Sequence, residues 1–319
     1  MFEAGPIQWL QGFASPTVTW LMTGVTQLGY TPVYAALVLF LAFAVRLRPA
    51  LFVLLGLLLN GVMTEGLKTS VAFPRPDHVV QLQTRSPAPP ATFDAHGFWS
   101  LPSAETRAAV RATAGISYGF PSGHVSAAMA FCLGVALFFR WRLFLALALV
   151  WPLLMGLSRM YLGRHFLADV LGGLAVGVVA AALAARLLRW LDHPREPARQ
   201  PRRLALLCGA TLALAVVSLF TPSLDPENVG RLAGLICIYA GLTVKGFPAD
   251  AGGLWQRAGR FVAAVLIYLA ISRLGEWGLE LSGWEDQRLP VLIAAALIFI
   301  GSFLGAVALG HRLRWYRAA

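Results

Sequence analysis

An all-α fold, specifically a polytopic transmembrane helical bundle, is what this sequence predicts, and three observations predict it. Apolar residues make up 58% of the 319-residue chain and only 13% are charged, whereas about a quarter of a soluble domain is charged. Several apolar runs reach the roughly 17–25 residues a helix needs to cross a bilayer. Those runs are continuous, without the period-two alternation of a barrel strand. A mean hydropathy of +0.67 agrees.

Taken in order, residues 1–30 read as interfacial N-terminal helices, because the apolar stretch 6–28 is broken by Gly12, Pro16 and Gly24. Spans are expected at 31–46, ending at Arg46 and Arg48, and at 49–68, ending at Lys68. A polar, Pro-rich stretch follows at 74–120, with Arg85, Asp94, His96 and a short helix expected around 103–113. Residues 77–120 are longer than a simple connector and read as an extracytoplasmic lid or loop. Further spans are expected at 122–139, 143–160 and 166–187. The Arg- and Pro-rich segment 188–203 reads as a cytoplasmic linker. Four more runs, at 204–222, 229–246, 259–281 and 289–311, make 204–319 a C-terminal transmembrane unit of unassigned role.

The net charge of +11 does not point to nucleic acid, since no basic stripe with interleaved aromatics lies outside the spans. Arg-rich turns at 46–48, 140–142, 186–203, 245–260 and 312–317 belong on the cytoplasmic side by the positive-inside rule. Cys132, Cys208 and Cys237 fall in apolar runs far apart, with neither metal nor disulfide spacing. The N-terminus carries Glu3 and no basic leader, so no cleaved signal peptide is expected. Trp277 and Trp284 read as interface anchors, and Arg273 and Glu276, at i and i+3, as a local pair.

Ionisable groups nevertheless gather at three span ends: Lys68 and Arg75, then Pro121-Ser122-Gly123-His124, then Ser158-Arg159 with His165 and Asp169. By the topology above, all three lie on the face opposite the Arg-rich turns, where such groups are costly and usually functional. His165 and Asp169 are four residues apart and share a helix face. A carboxylate beside an imidazole fixes its tautomer and leaves the other nitrogen free to attack. Ser122 and Gly123 open a helix whose first amides favour an anion, with Ser122 also a natural N-cap. His124 is placed to protonate a departing oxygen. Lys68, Arg75 and Arg159 suit phosphoryl oxygens. Glu65, three residues before Lys68, reads as a salt bridge holding it. Tyr118, Phe120 and Tyr161 flank these segments. Asp77 and His78 are adjacent but lack partner ligands, so no metal site is expected.

The three segments, Lys-x6-Arg-Pro at Lys68, Arg75 and Pro76, Pro-Ser-Gly-His at 121–124, and Ser-Arg-x5-His-x3-Asp from Ser158 to Asp169, resemble the three-part signature of the type 2 phosphatidic acid phosphatase (PAP2) superfamily. The resemblance covers roughly residues 50–187, and every signature position is matched. It implies a PAP2-like catalytic core over 31–187 and a metal-independent phosphatase, without cofactor, working through a phosphohistidine. His165 would be the nucleophile, Asp169 its orienter and His124 the general acid. Lys68, Arg75, Ser122, Gly123 and Arg159 would hold the phosphoryl oxygens.

The expected substrate is a membrane lipid bearing a phosphate or diphosphate, such as undecaprenyl diphosphate or a phosphatidic acid-like phospholipid. The expected location is a bacterial cytoplasmic (inner) membrane, with the site facing the periplasm or extracytoplasmic side. Two alternatives stay open: a lipid phosphotransferase using the same site, and a lipid transporter with a PAP2-like core. The residues do not indicate an oligomeric state.

Overall fold

The computed structural model describes residues 1–79, 100–113, 117–192 and 197–316, and among the described residues the regular structure is helical, with no strand. The helices are α1 (Gly5–Gln11), α2 (Pro16–Gln27), α3 (Thr31–Phe40, prolonged by a π turn at Leu41–Val45), α4 (Leu47–Val71), α5 (Pro76–Val79), α6 (Ala104–Ala112), α7 (Gly123–Phe139), α8 (Leu143–Tyr161), α9 (Leu167–Leu191), α10 (Gln200–Phe220), α11 (Pro226–Lys245), α12 (Leu254–Ser282) and α13 (Arg288–Arg312).

Local chemistry explains several of these boundaries. Pro16 opens α2 and the Ser15 hydroxyl accepts from the Val18 amide, a capped start with proline where its missing N–H costs nothing. Asp225 caps α11 by accepting from the Glu227 and Asn228 amides, and Pro226 follows it. Arg288 donates to the carbonyls of Ser218, Thr221 and Leu224, satisfying groups that the end of α10 leaves without intrahelical partners. The short helix expected at 103–113 is α6, capped by Ser103. The rest of the expected lid, 80–99 and 114–116, lies outside the described residues, as do 193–196 of the linker and 317–319.

Six helices, α4, α8, α9, α10, α12 and α13, are long and apolar enough to cross a membrane, and the chain is a multi-pass membrane protein. The α2–α3 pair passes the same test only together and is bent by 54° at its break. By length and composition α2, in the segment expected to be interfacial, is one arm of a bent pair with the form of a broken span or a re-entrant loop. Three of the nine expected spans fall short of the test taken singly, the first of them 31–46, which passes only with α2. Helix α7 has 17 residues, and α11 is not among the passing helices.

The described residues fall into two compact units. The first comprises Met1–Val33, Met63–Ala136 and Arg140–Ala181, the second Tyr34–Val62, Leu137–Phe139 and Ala182–Ala319. This grouping differs from a division at 188–203, because α4, α7 and α9 each contribute to both units.

In the first unit, Phe2, Ile7, Val125, Met155, Met160, Phe166 and Val170 form a buried apolar cluster. Helix α9 lies tightly on α7. A Cβ on Gly173 would sit 2.7 Å from the Ser122 carbonyl, and one on Gly177 would sit 2.5 Å from that of Ser126. Only glycine permits such backbone approach, the small-xxx-small device of membrane helices.

In the second unit, Gly230 and Gly234 do the same for α11 against α13, with hypothetical Cβ atoms 2.3 Å from the Leu292 carbonyl and 2.8 Å from that of Ala296. Arg48 pairs with Asp192 at 2.7 Å, and the Tyr239 hydroxyl donates to the same carboxylate at 3.1 Å. Asp250 accepts from the Leu47 amide. The expected Arg273–Glu276 pair is present at 3.1 Å on an exposed face, and Trp277 and Trp284 are exposed.

Candidate active site

The polar residues of the three sequence segments converge within the first unit. His165 lies in the short connection between α8 and α9 and is 2% exposed, while Asp169, in the first turn of α9, is fully buried. Their contact is 3.2 Å, from His165 Nδ1 to Asp169 Oδ2. The Phe166 amide donates to the same oxygen at 2.9 Å, so the carboxylate is fixed from its own helix start. With Nδ1–H donating to Asp169, the neutral ring presents its lone pair at Nε2.

Charge surrounds that ring. Burial first, and then the positive charges of Arg159, Arg75 and Lys68 and the neighbouring His124, hold the His165 imidazole well below its ordinary value of 6.5. The ring is therefore neutral at physiological pH. Lys68, in the last turn of α4, is held by Glu65 at 2.7 Å, as its i, i+3 spacing predicts. Arg75 donates from Nε to the Tyr118 carbonyl at 3.2 Å. Arg159, in the last turn of α8, is 5% exposed.

Helix α7 brings the second segment to the same place. Ser122 occupies its N-cap position, but the hydroxyl caps no amide. Its backbone instead donates to the Asp169 carbonyl at 2.9 Å, tying the second segment to the third. The Ser122 Oγ and the His124 Nε2 are both buried without a hydrogen-bond partner among the described residues. Orphaned buried polar atoms are costly, and here they face a cluster of cations. A Cβ on Gly123 would lie 3.8 Å from Lys68 Nζ, so the start of α7 and the Lys68 ammonium are neighbours. The set can accept a dianion, neutralise it and offer it one nucleophile and one acid.

Sequence reasoning missed the contribution of the N-terminal segment. Ser158 donates to the Met22 carbonyl at 2.6 Å, so the Thr26 hydroxyl donates to Ser158 Oγ, also at 2.6 Å. Gln11 donates to the Tyr161 carbonyl, and Thr19 meets the Tyr161 hydroxyl at 2.7 Å. Phe2 packs among Phe73, Phe120 and Phe166. Tyr161 is buried, and it and Phe120 are frame residues here. Gly119 was likewise not singled out. A Cβ there would sit 2.7 Å from the Pro74 carbonyl and 3.0 Å from Asp169 Oδ2.

Asp77 is buried and 3.6 Å from Arg164, and the His78 side chain lies outside the described residues. No three His, Cys, Asp or Glu side chains gather as metal ligands among the described residues.

No curated protein matches this chain. Among solved structures, the crystal structure of Aquifex aeolicus LpxE is similar, at 21% identity over 56% of this chain and 92% of that one, with a TM-score of 0.42. Residues 49–193, which contain every cation, histidine and carboxylate of the site just described, match the model of the PAP2 superfamily.

Proposed function

We propose that this protein is a membrane lipid phosphatase, hydrolysing the phosphate or diphosphate of a lipid through a phosphohistidine, without a metal. The observation that carries this function is the buried His165–Asp169 pair in the field of Arg159, Arg75 and Lys68, with the Ser122 and His124 side chains left unsatisfied beside it.

In the first step the Nε2 lone pair of His165 forms a bond to phosphorus. The bond from phosphorus to the leaving oxygen breaks, that oxygen keeps the electron pair, and His124, which takes up a proton together with the phosphoryl dianion whose charge offsets the surrounding cations, supplies that proton from Nε2. Asp169 keeps the Nδ1 proton and steadies the charge that develops on the ring. In the second step His124, now neutral, takes a proton from water as the water oxygen attacks phosphorus. The N–P bond breaks, inorganic phosphate forms and His165 is restored. Lys68, Arg75, Arg159, the Ser122 hydroxyl and the amides at the start of α7, Gly123 among them, hold the equatorial oxygens throughout.

A bilayer-anchored tail accounts for a phosphate site built at helix ends. The Arg-rich turns favour a bacterial cytoplasmic membrane with the site on the extracytoplasmic face. Undecaprenyl diphosphate and phosphatidic acid-like monophosphates fit this chemistry equally.

The test is phosphate release by purified protein from a lipid panel, with and without chelator, together with an alkaline detergent quench of turnover on a radiolabelled phosphate donor. Chelator-resistant release and an acid-labile, base-stable phosphoenzyme that disappears in His165→Ala are expected. Full activity in His165→Ala would overturn the mechanism.

A further inference from the structure

The two imidazoles of the site are oriented by different means. His165 has a carboxylate at Nδ1. His124 has no such partner, and its Nε2 carries no hydrogen bond among the described residues. Packing from the α2–α3 break fixes it instead. The Tyr30 ring meets the His124 ring edge to face, with centroids 4.8 Å apart and planes at 79°. The preceding residue leaves no slack: a Cβ on Gly29 would lie 2.6 Å from His124 Cδ2 and 2.8 Å from Met155 Cε. The backbone there is itself tied down. The Gly29 amide donates to the Thr26 carbonyl at 2.9 Å, and Thr26 is bonded to Ser158, next to Arg159.

We infer that Tyr30, seated on Gly29 at the break of the N-terminal helix pair, is a positioning residue that holds the His124 imidazole in line with the leaving oxygen. This rests on the proposed role of His124 as general acid. Cδ2 is bonded to Nε2, so the wall formed by Gly29 lies beside the nitrogen that gives up the proton. A ring free to turn about χ2 would carry that proton away from the leaving group. The contact is made by the aromatic ring, so the hydroxyl is dispensable.

Leaving-group dependence separates this role from a structural one, because a good leaving group departs without a proton. Hexadecyl phosphate and an alkyl-tailed nitrophenyl phosphate are the probes, turned over by the full chain in detergent. Tyr30→Ala should lower kcat on hexadecyl phosphate by roughly tenfold, part of the 10²–10⁴ that general acid catalysis supplies, and change the nitrophenyl rate by less than about threefold. Tyr30→Phe should match wild type on both, and Gly29→Ala should follow Tyr30→Ala. His124→Ala should show the same selectivity, larger.

An equal loss on both probes in Tyr30→Ala, no loss at all, or Tyr30→Phe behaving as Tyr30→Ala would overturn the positioning role while leaving the acid in place. An equal loss in His124→Ala would overturn the acid role and this proposal with it.

Discussion

The α7–α9 seam of the first unit and the α11–α13 seam of the second are built on one device and used differently. Each has glycines four residues apart, Gly173 and Gly177 in one, Gly230 and Gly234 in the other, pressed onto a facing helix backbone. The second seam is lined by Val229, Leu292, Ala295 and Phe299, all buried apolar residues. The first ends at Ser122 Oγ, His124 Nε2 and Asp169 Oδ1, buried atoms with no hydrogen-bond partner among the described residues. Close packing is therefore the common means of joining helices where lipid offers no hydrophobic drive. Catalytic potential arises where that packing also immobilises unsatisfied polar groups.

The sharpest way to separate the seams is to remove the chemistry alone. His165→Ala should abolish turnover by roughly 10⁴-fold or more while leaving thermal unfolding close to wild type, measured by phosphate release and calorimetry on one preparation. Enlarging the glycines comes next. Gly177→Leu and Gly234→Leu should each destabilise by about 2–3 kcal/mol through overpacking. Only Gly177→Leu should also lower kcat per folded molecule, counted by phosphoenzyme trapping. Equal kcat loss in both variants would erase the distinction between the seams.

Ser122→Ala should cost about tenfold in kcat/KM, the worth of one hydrogen bond to a charged group, with little change in stability because the hydroxyl caps nothing. A stability effect of pH follows from His165. Its folded value is depressed below 6.5, so below that pH the unfolded chain takes up a proton that the native site refuses. Stability should then fall as pH drops below about 6.5. The Tm of wild type should drop relative to that of His165→Gln over that range, and parallel curves would place the ring elsewhere. The smallest effect belongs to the second unit. Arg48→Ala removes a pair whose arginine side chain is 44% exposed, and should cost under about 1 kcal/mol with unchanged kcat.

Most of this was legible in the sequence where the signal is local. The expected runs 143–160 and 289–311 became Leu143–Tyr161 and Arg288–Arg312, because apolar length alone determines a spanning helix. The His165–Asp169 and Glu65–Lys68 contacts expected from spacings of four and three residues are both present, although His165 precedes α9 and is not on it. Gly29, Tyr30 and Thr26 were not legible. Their partners lie some ninety to a hundred and thirty residues away, and neither periodicity nor spacing encodes such contacts. The one hint was the broken run itself, where Gly12, Pro16 and Gly24 divided a stretch too apolar to be a loop. Helix α11 is a less clear-cut case among the expected spans. Its apolar run looked like a span, yet it carries Glu227, Arg231 and Lys245 and does not pass the span test.

The bond between Thr26 and Ser158 joins residues 132 apart, and that between Gln11 and Tyr161 joins residues 150 apart. Translation delivers the N-terminal partner of each long before the other exists. Until α8 has been made, the Gln11 amide and the Thr26 hydroxyl must be served by water, lipid headgroups or the insertion machinery. The candidate site is thus completed from behind, by a segment that waits for it. Long-range closure of this kind is the slow part of folding, so the enzyme should gain its activity late in biogenesis, after its helices are already in the membrane.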